Sequence, residues 1–286
     1  MTTTTIPNRE AIAEAPNPLG LEGLEFVEYE TAKPQALGQV LEAMGFRPIA
    51  RHRSREVMLY RQGSMNIVVN SHHVSNDAPA LSAFALRVRD AGVAYQRAID
   101  RGAWPVVLDV KPMELHIPAI HGVGSSRIYF VDRWREFSIW DVDFVPIPTV
   151  DQYPPAVAGM HWFGLVQYIG LWRVDDWTEF YLELFGWRAL PDEQRFGVMP
   201  SGRLLQSPDG LMLQLIEPEP DAAELEGDES IQRLGFGVPD VMAAVKELKA
   251  RGVEFVESEK THSESRGAVT RTQLGTVMFE LVHRVP

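Results

Sequence analysis

The chain carries an internal repeat, and this repeat constrains the fold more than any other feature of the sequence. Segments 86–103 and 236–253 lie 150 positions apart and share one pattern. In each, a strand ends at an aspartate (Asp90 or Asp240), a helix follows, and a glycine closes the helix. Aspartate can cap the first turn of a helix, and glycine favours its C-terminal end. Matching units in matching order predict two joined copies of one fold.

A second matching pair supports the repeat. Segments 40–47 and 181–188 are both amphipathic helices that end in glycine, an aromatic residue and arginine. Between the copies lies a proline-rich stretch, and prolines disfavour both helix and sheet. We therefore predict four parts of the chain: a disordered leader (1–18), an N-terminal structural domain (19–145), a linker (146–158) and a C-terminal domain with a pocket (159–286).

Each half divides into two units of the order β-α-β-β-β. The strands include four short ones, predicted near 105–108, 137–144, 196–199 and 254–258. Two such units facing each other form a half-open barrel whose inner faces surround a pocket. The predicted class is α+β, with two domains of paired βαβββ units.

Composition excludes several functions. The net charge of −12 argues against nucleic-acid binding, which needs a basic face. The absence of cysteine removes disulfide and thiolate chemistry. The leader lacks the basic and apolar regions of a signal peptide, and no apolar run is long enough to span a membrane. These features predict a cytoplasmic protein that does not bind membranes.

One carboxylate interrupts the apolar strand at 276–282. Burying Glu280 is costly unless the carboxylate binds a metal, a cation or a hydrogen-bond donor. Arg233 lies on a predicted neighbouring strand, and both side chains are expected to point into the barrel. Glu280 is thus either a metal ligand or the partner of Arg233.

The chain resembles bacterial 4-hydroxyphenylpyruvate dioxygenases of the vicinal oxygen chelate superfamily. The similarity covers nearly all of the chain outside the leader and is carried in the first half by segments 17–28, 52–54, 59–63, 112–124 and 138–144. The resemblance implies two vicinal-oxygen-chelate domains. It further implies that the first half is structural and that the second carries the chemistry.

The resemblance also implies an iron(II) site in the second half, with two histidines and one glutamate as ligands. The glutamate falls on Glu280, but the second histidine falls on Arg233. An arginine has no lone pair and cannot ligate a metal. The cofactor is therefore iron(II) by resemblance, or there is none.

The first histidine of that site falls on Gly164, which the repeat pairs with Gly23. His161 lies three residues upstream. It reaches the site only if the connection at 169–174 is longer than usual and the register shifts. Otherwise His161 is an ordinary, partly buried histidine.

For the substrate, the resemblance places a keto-acid-orienting glutamine at Gln273, and Gln214 and Ile216 on the pocket wall. The chain ends at Pro286, before the family's C-terminal helix. Two functions remain open. The protein is an enzyme on the dioxygenase scaffold acting on a small aromatic or α-keto acid, with or without His161 as a ligand. Alternatively it is a metal-free binder in which Arg233 anchors a small anion. Assembly as a homo-oligomer is compatible with either.

Overall fold

The structure of the protein is a computed structural model, which describes residues 17–72, 74, 77–107, 114–191, 193–198, 202–218, 228–259 and 261–285. Most of the predicted leader lies outside these ranges, as do the last residues of the strands predicted at 105–108 and 196–199. Among the described residues, every helix is too short or too polar to traverse a lipid bilayer.

The first half contains eight strands and three helices in the described residues. In chain order they are β1 (Leu21–Glu30), α1 (Pro34–Ala43), β2 (Arg47–His52), β3 (Val57–Gln62), β4 (Met65–Asn70), β5 (Ala80–Val88), α2 (Ala91–Asp100), β6 (Ala119–His121), β7 (Arg127–Val131), α3 (Ile139–Asp143) and β8 (Phe144–Pro146).

The second half repeats the order with seven strands and two helices in its described part. These are β9 (His161–Tyr168), α4 (Val174–Phe185), β10 (Arg188–Ala189), β11 (Arg203–Gln206), β12 (Met212–Ile216), β13 (Ser230–Val238), α5 (Val241–Ala250), β14 (Gly267–Val269) and β15 (Phe279–His283). The predicted α+β class with two half-barrels of paired βαβββ units is confirmed.

The two aspartates of the repeat cap their helices as the sequence indicated. Asp90 Oδ1 accepts a hydrogen bond from the backbone nitrogen of Val93 at 2.8 Å, and Asp240 Oδ1 accepts one from Ala243 at 2.9 Å. Such a cap satisfies a backbone N–H that has no partner within the helix. Strands β5 and β13, which lead into these helices, therefore end at equivalent places in the two halves.

All the strands join into one mixed sheet. Strand β13 pairs with β9 in its own half and reaches β5 of the other half through Ile231 and Leu81. Helices cover the outer face, where the larger apolar core lies, and the inner face of the first half carries a separate core.

Four short predicted strands were wrong in type or extent. The segment at 137–144 instead forms α3, because Ser138 and Asp141 form a capping box, with the Ser138 backbone nitrogen 2.7 Å from Asp141 Oδ2. Near 105–108 and 254–258 only single bridges form, from Pro105 to Ile120 and from Phe255 to Thr270. Residues 196–198 form no strand.

Candidate functional site

The candidate site lies on the inner face of the C-terminal half-barrel, where three strands run side by side. Gly235 on β13 pairs with Gly164 on β9 and with Glu280 on β15. The three positions form a row across the sheet, with Arg233 two residues before Gly235. The fold thus brings together the positions that the resemblance assigned to the metal site.

Arg233 and Glu280 form a buried ion pair. Arg233 is fully buried, and its Nε donates to Glu280 Oε2 at 3.2 Å. Its Nη1 donates to Gln232 Oε1 at 3.3 Å, while its Nη2 is buried without a hydrogen-bond partner in the described part of the chain. Burial raises the pKa of Glu280, and the neighbouring guanidinium opposes that rise. The carboxylate therefore has the cation that the sequence suggested as the alternative to a metal.

Gly164 has no room for a side chain. A β-carbon at this position would lie 2.1 Å from the backbone oxygen of Met212 on β12, well inside van der Waals contact. The cause is a β-bulge in β9, where Gly164 pairs with Gly235 and Trp162 with Phe236 while Phe163 has no partner. A histidine here would require β9 and β12 to move apart.

The segment before β11 covers the other side of Glu280. Gly197 has a positive φ of 60°, and a β-carbon on it would lie 2.2 Å from Glu280 Oε1. Only glycine allows this left-handed turn to approach the carboxylate so closely. Gly197 was not predicted as a site residue, although a glycine in the middle of a predicted strand is a signal for a bulge or a close approach.

His161 lies away from this row. It pairs with Gly237, two residues further along β13 than Gly235, and its ring packs on that glycine, so that a β-carbon there would lie 2.3 Å from Nε2. Its Nδ1 is 3.3 Å from the backbone oxygen of Gly159. His161 does not line the cavity that Glu280 lines. The connection from β9 to α4 is longer than its counterpart from β1 to α1, but His161 stays outside the site.

The residues assigned to substrate binding do not converge. Gln214 lines the cavity beside Glu280, and Ile216 follows two residues later on β12, at its end. Gln273 instead lines a separate depression next to Val40 of α1. Arg233 is absent from the lining of the Glu280 cavity, because Glu280 covers its guanidinium.

The cavity itself is small. It has a volume of about 30 Å³ and is mostly apolar, with Phe163, Phe196 and Met212 among its walls. A single water needs roughly 10–15 Å³ on this measure. In this conformation the cavity accommodates a water molecule or two but not an aromatic acid.

The repeat aligns differently in three dimensions than in the sequence. In the first half, Phe26 pairs with Ala85 and Leu24 with Leu86, which leaves Glu25 at the same bulge that Phe163 occupies in β9. Gly164 is thus equivalent to Phe26, and the sequence-based pairing of Gly164 with Gly23 was wrong. It failed because the two halves differ in the length of the connection after this strand.

These residues do not fit an iron site of the family's type. Of the three ligand positions, only Glu280 can donate to a metal, since Arg233 has no lone pair and Gly164 has no side chain. Within the described residues, no three histidine, aspartate or glutamate side chains lie close enough together to hold a metal ion.

The fold, its two-fold repeat and the position of the site define a class. The protein is a two-domain member of the glyoxalase/bleomycin resistance protein/dioxygenase superfamily, whose family model matches residues 172–277. The model described as hydroxyphenylpyruvate dioxygenase, N-terminal, matches residues 15–145.

The chain belongs to the 4-hydroxyphenylpyruvate dioxygenase family. It is 33% identical over 258 residues to 4-hydroxyphenylpyruvate dioxygenase of Pseudomonas sp. strain P.J. 874, a match that covers 84% of this chain and 72% of the relative. It is 32% identical over 272 residues to hemolysin VllY of Vibrio vulnificus, covering 88% and 76%. A solved mutant 4-hydroxymandelate synthase from Streptomyces coelicolor shares the fold, with a TM-score of 0.73, 16% identity and 93% of each chain covered.

Proposed function

We propose that this protein is a metal-independent member of the family, a small-molecule-binding protein without dioxygenase activity. The observation that carries the proposal is the fully buried Arg233, whose Nε lies 3.2 Å from Glu280 Oε2. The guanidinium stands where the family's second histidine would be and neutralises the remaining carboxylate.

Three further features support the loss of iron chemistry. A fixed positive charge in contact with Glu280 repels a divalent cation, and a single carboxylate with water holds such an ion weakly. Gly164 and Gly197 pack so closely on their neighbours that neither position can supply another ligand without movement of the backbone. The family's chemistry also needs space for an aromatic keto acid, and the cavity of about 30 Å³ is too small for it.

We expect the purified protein to contain far less than one iron per chain. Purification under anaerobic conditions with added iron(II), followed by metal analysis, measures this directly. The same sample, given 4-hydroxyphenylpyruvate and dioxygen, should consume no more oxygen than buffer does. The reason is that one carboxylate, already paired with Arg233, provides too few ligands for tight binding.

The variant Arg233→His is the matched test. It restores an imidazole beside Glu280 and removes the repelling charge, so weak iron binding should appear in the variant and not in the parent. Near-stoichiometric iron in the parent protein, or oxygen consumption coupled to the keto acid, would overturn the proposal. Iron in the parent that disappears in His161→Ala would instead show that His161 reaches the site.

A further inference from the structure

The N-terminal half-barrel, the half that the resemblance makes structural, holds a cavity larger than the one beside Glu280. It has a volume of about 360 Å³, within the usual range for small-molecule sites of roughly 300–1,000 Å³. Phe26 and Tyr129 both line it. Phe26 and Tyr129 both pair with Ala85, and Gly164 and Glu280 both pair with Gly235. By strand register, Phe26 is therefore equivalent to Gly164, and Tyr129 to Glu280. The cavity thus occupies the same place in its half-barrel as the candidate site does in the other.

A small residue leaves this half-barrel open. Ala83 is the counterpart of Arg233, and it pairs with Glu28 on one side and Arg127 on the other. No long side chain on β5 fills the centre, so Glu28 and Arg127 meet there, with Arg127 Nη2 3.3 Å from Glu28 Oε1. In the C-terminal half, Arg233 occupies the corresponding space.

Glu28 presents an unused oxygen to this cavity. The residue is only 7% exposed, and its Oε1 accepts hydrogen bonds from Asn70 Nδ2 at 2.8 Å and from Arg127. Its Oε2 accepts no hydrogen bond from any described residue. Burial raises the pKa of Glu28, although Arg127 opposes that rise. Oε2 is not among the fully buried atoms that lack a partner, so it is open to the cavity and available to a hydrogen-bond donor on a ligand.

The charges around the cavity favour a cation. Both arginines in the lining are already neutralised: Arg127 also binds Glu30 at 2.5 Å, and Arg55 Nε donates to Glu114 at 3.0 Å. Three carboxylates line the cavity (Glu28, Glu114 and Asp143) against two guanidiniums. Burial lowers the pKa of His52, which keeps that ring neutral near neutral pH. An anionic ligand would face a net negative lining.

One wall of the cavity is aromatic. Phe26 and Trp140 meet edge to face with ring centroids 5.6 Å apart, Trp140 meets Phe144 at 5.2 Å, and Phe26 meets Tyr129 at 5.8 Å. Such a wall packs well against another aromatic ring, and ring faces attract cations.

We propose that the N-terminal half-barrel is a binding site for a small aromatic amine, with the protonated amine on Glu28 Oε2 and the ring against Phe26 and Trp140. None of the residues of this site touches the Arg233–Glu280 pair. The proposal therefore does not depend on whether the C-terminal half-barrel binds iron. The ligand class is set by one carboxylate oxygen open to the cavity, a surplus of negative charge and an aromatic wall.

Calorimetric titration of the full chain with three matched ligands tests the proposal. Tyramine, the neutral tyrosol and 4-hydroxyphenylacetate share a phenol ring and differ in the charge of the side chain. We expect one tyramine to bind per chain, tyrosol to bind at least about tenfold more weakly because its hydroxyl carries no positive charge to pair with the Glu28 carboxylate, and the acid not to bind. Equal or tighter binding of the acid, or no binding of tyramine, would refute the site.

Two variants that each remove one carboxylate test whether tyramine binds at Glu28. Glu28→Gln should weaken tyramine binding at least about tenfold, since it keeps an acceptor on Oε1 but removes the charge. Glu30→Gln removes a carboxylate from the same Arg127 without touching the cavity lining, and binding should stay within about twofold. Equal losses in both would show a general electrostatic effect and no site at Glu28.

A third variant covers the case in which Glu28→Gln does not fold. Ile117→Trp adds bulk to the cavity lining and leaves every charge in place. It should abolish tyramine binding, and retained binding would place the ligand elsewhere.

Discussion

Replacing Arg233 with methionine should lower the free energy of unfolding by about 3–5 kcal/mol, measured by urea denaturation at neutral pH. Arg233 is fully buried and is the only described cation that contacts Glu280. Its removal leaves a buried carboxylate whose Oε2 has lost its donor. Glu280→Leu should cost a similar amount, because it leaves a buried guanidinium without its counter-charge.

A double-mutant cycle tests whether Arg233 and Glu280 stabilise the protein as a pair. With both charges gone, Arg233→Met combined with Glu280→Leu should be far closer to the parent than the sum of the single losses, since apolar side chains of similar size replace a buried ion pair at little cost. Additive losses in this double-mutant cycle would show that the two groups are not coupled, contrary to the 3.2 Å contact.

The loss of unfolding free energy in Arg233→Met should depend on pH. Burial raises the pKa of Glu280 above its ordinary value of 4.5, and Arg233 opposes the rise, so the variant should raise the pKa further. For a carboxyl group with a raised pKa in the folded state, stability is highest below the unfolded pKa and falls as the pH rises through the folded pKa. The deficit relative to the parent should therefore be smallest near pH 4 and grow towards neutral pH. A deficit that is constant over this range would contradict the burial of an unpaired Glu280.

Gly164→Ala should be the second strongly destabilising change, with a loss of up to about 3 kcal/mol in the same measurement. The new β-carbon would lie 2.1 Å from the Met212 backbone oxygen, which belongs to the adjoining strand β12 and cannot rotate away as a side chain can. The strands must separate locally and weaken the ladder between β9 and β12. Gly164→His should cost at least as much, so a histidine at the position that the resemblance assigns to a ligand should not by itself create an iron site.

Gly235→Ala is the matched control, because Gly235 lies directly opposite Gly164 on β13. A β-carbon there would lie 3.2 Å from Phe163 Cδ1, the end of a side chain that can move. We expect a loss below about 1 kcal/mol. Similar losses in both glycine variants would mean that the crowding at Gly164 is no more specific than ordinary core packing.

Local signals in the sequence were reliable for helices and for the buried carboxylate. Asp90 and Asp240 predicted two helix starts, because an aspartate cap acts over three residues and needs no distant partner. An acidic residue inside an apolar strand, with an arginine at a related position, was enough to suggest the Arg233–Glu280 pair. Glu28 is also an acidic residue inside an apolar strand, and it is buried beside Arg127. It was not predicted as a site residue, since the resemblance makes the first half structural.

Strand register was harder to predict. The pairing of Gly164 with Gly23 failed by three residues, because counting along the chain cannot detect that the connection after β9 is longer than the one after β1. The bulges at Glu25 and Phe163 depend on how neighbouring strands pair, and no local sequence signal at either residue predicts them. The prediction that Gln273 lies in one pocket with Arg233 failed for a similar reason, since the turn after β14 places Gln273 next to α1.

The sequence by itself determined the duplicated fold and the helix caps, and it predicted that Arg233 and Gly164 replace two iron ligands, because each depends on the identity of one residue or on short spacings. Only the tertiary structure decided which half-barrel is open. Arg233 and the approach of Gly197 to Glu280 fill one barrel, whereas Ala83 leaves room beside Glu28 in the other. The volume of a cavity depends on side chains from several strands that are distant in sequence, so it exists only once those strands are in register.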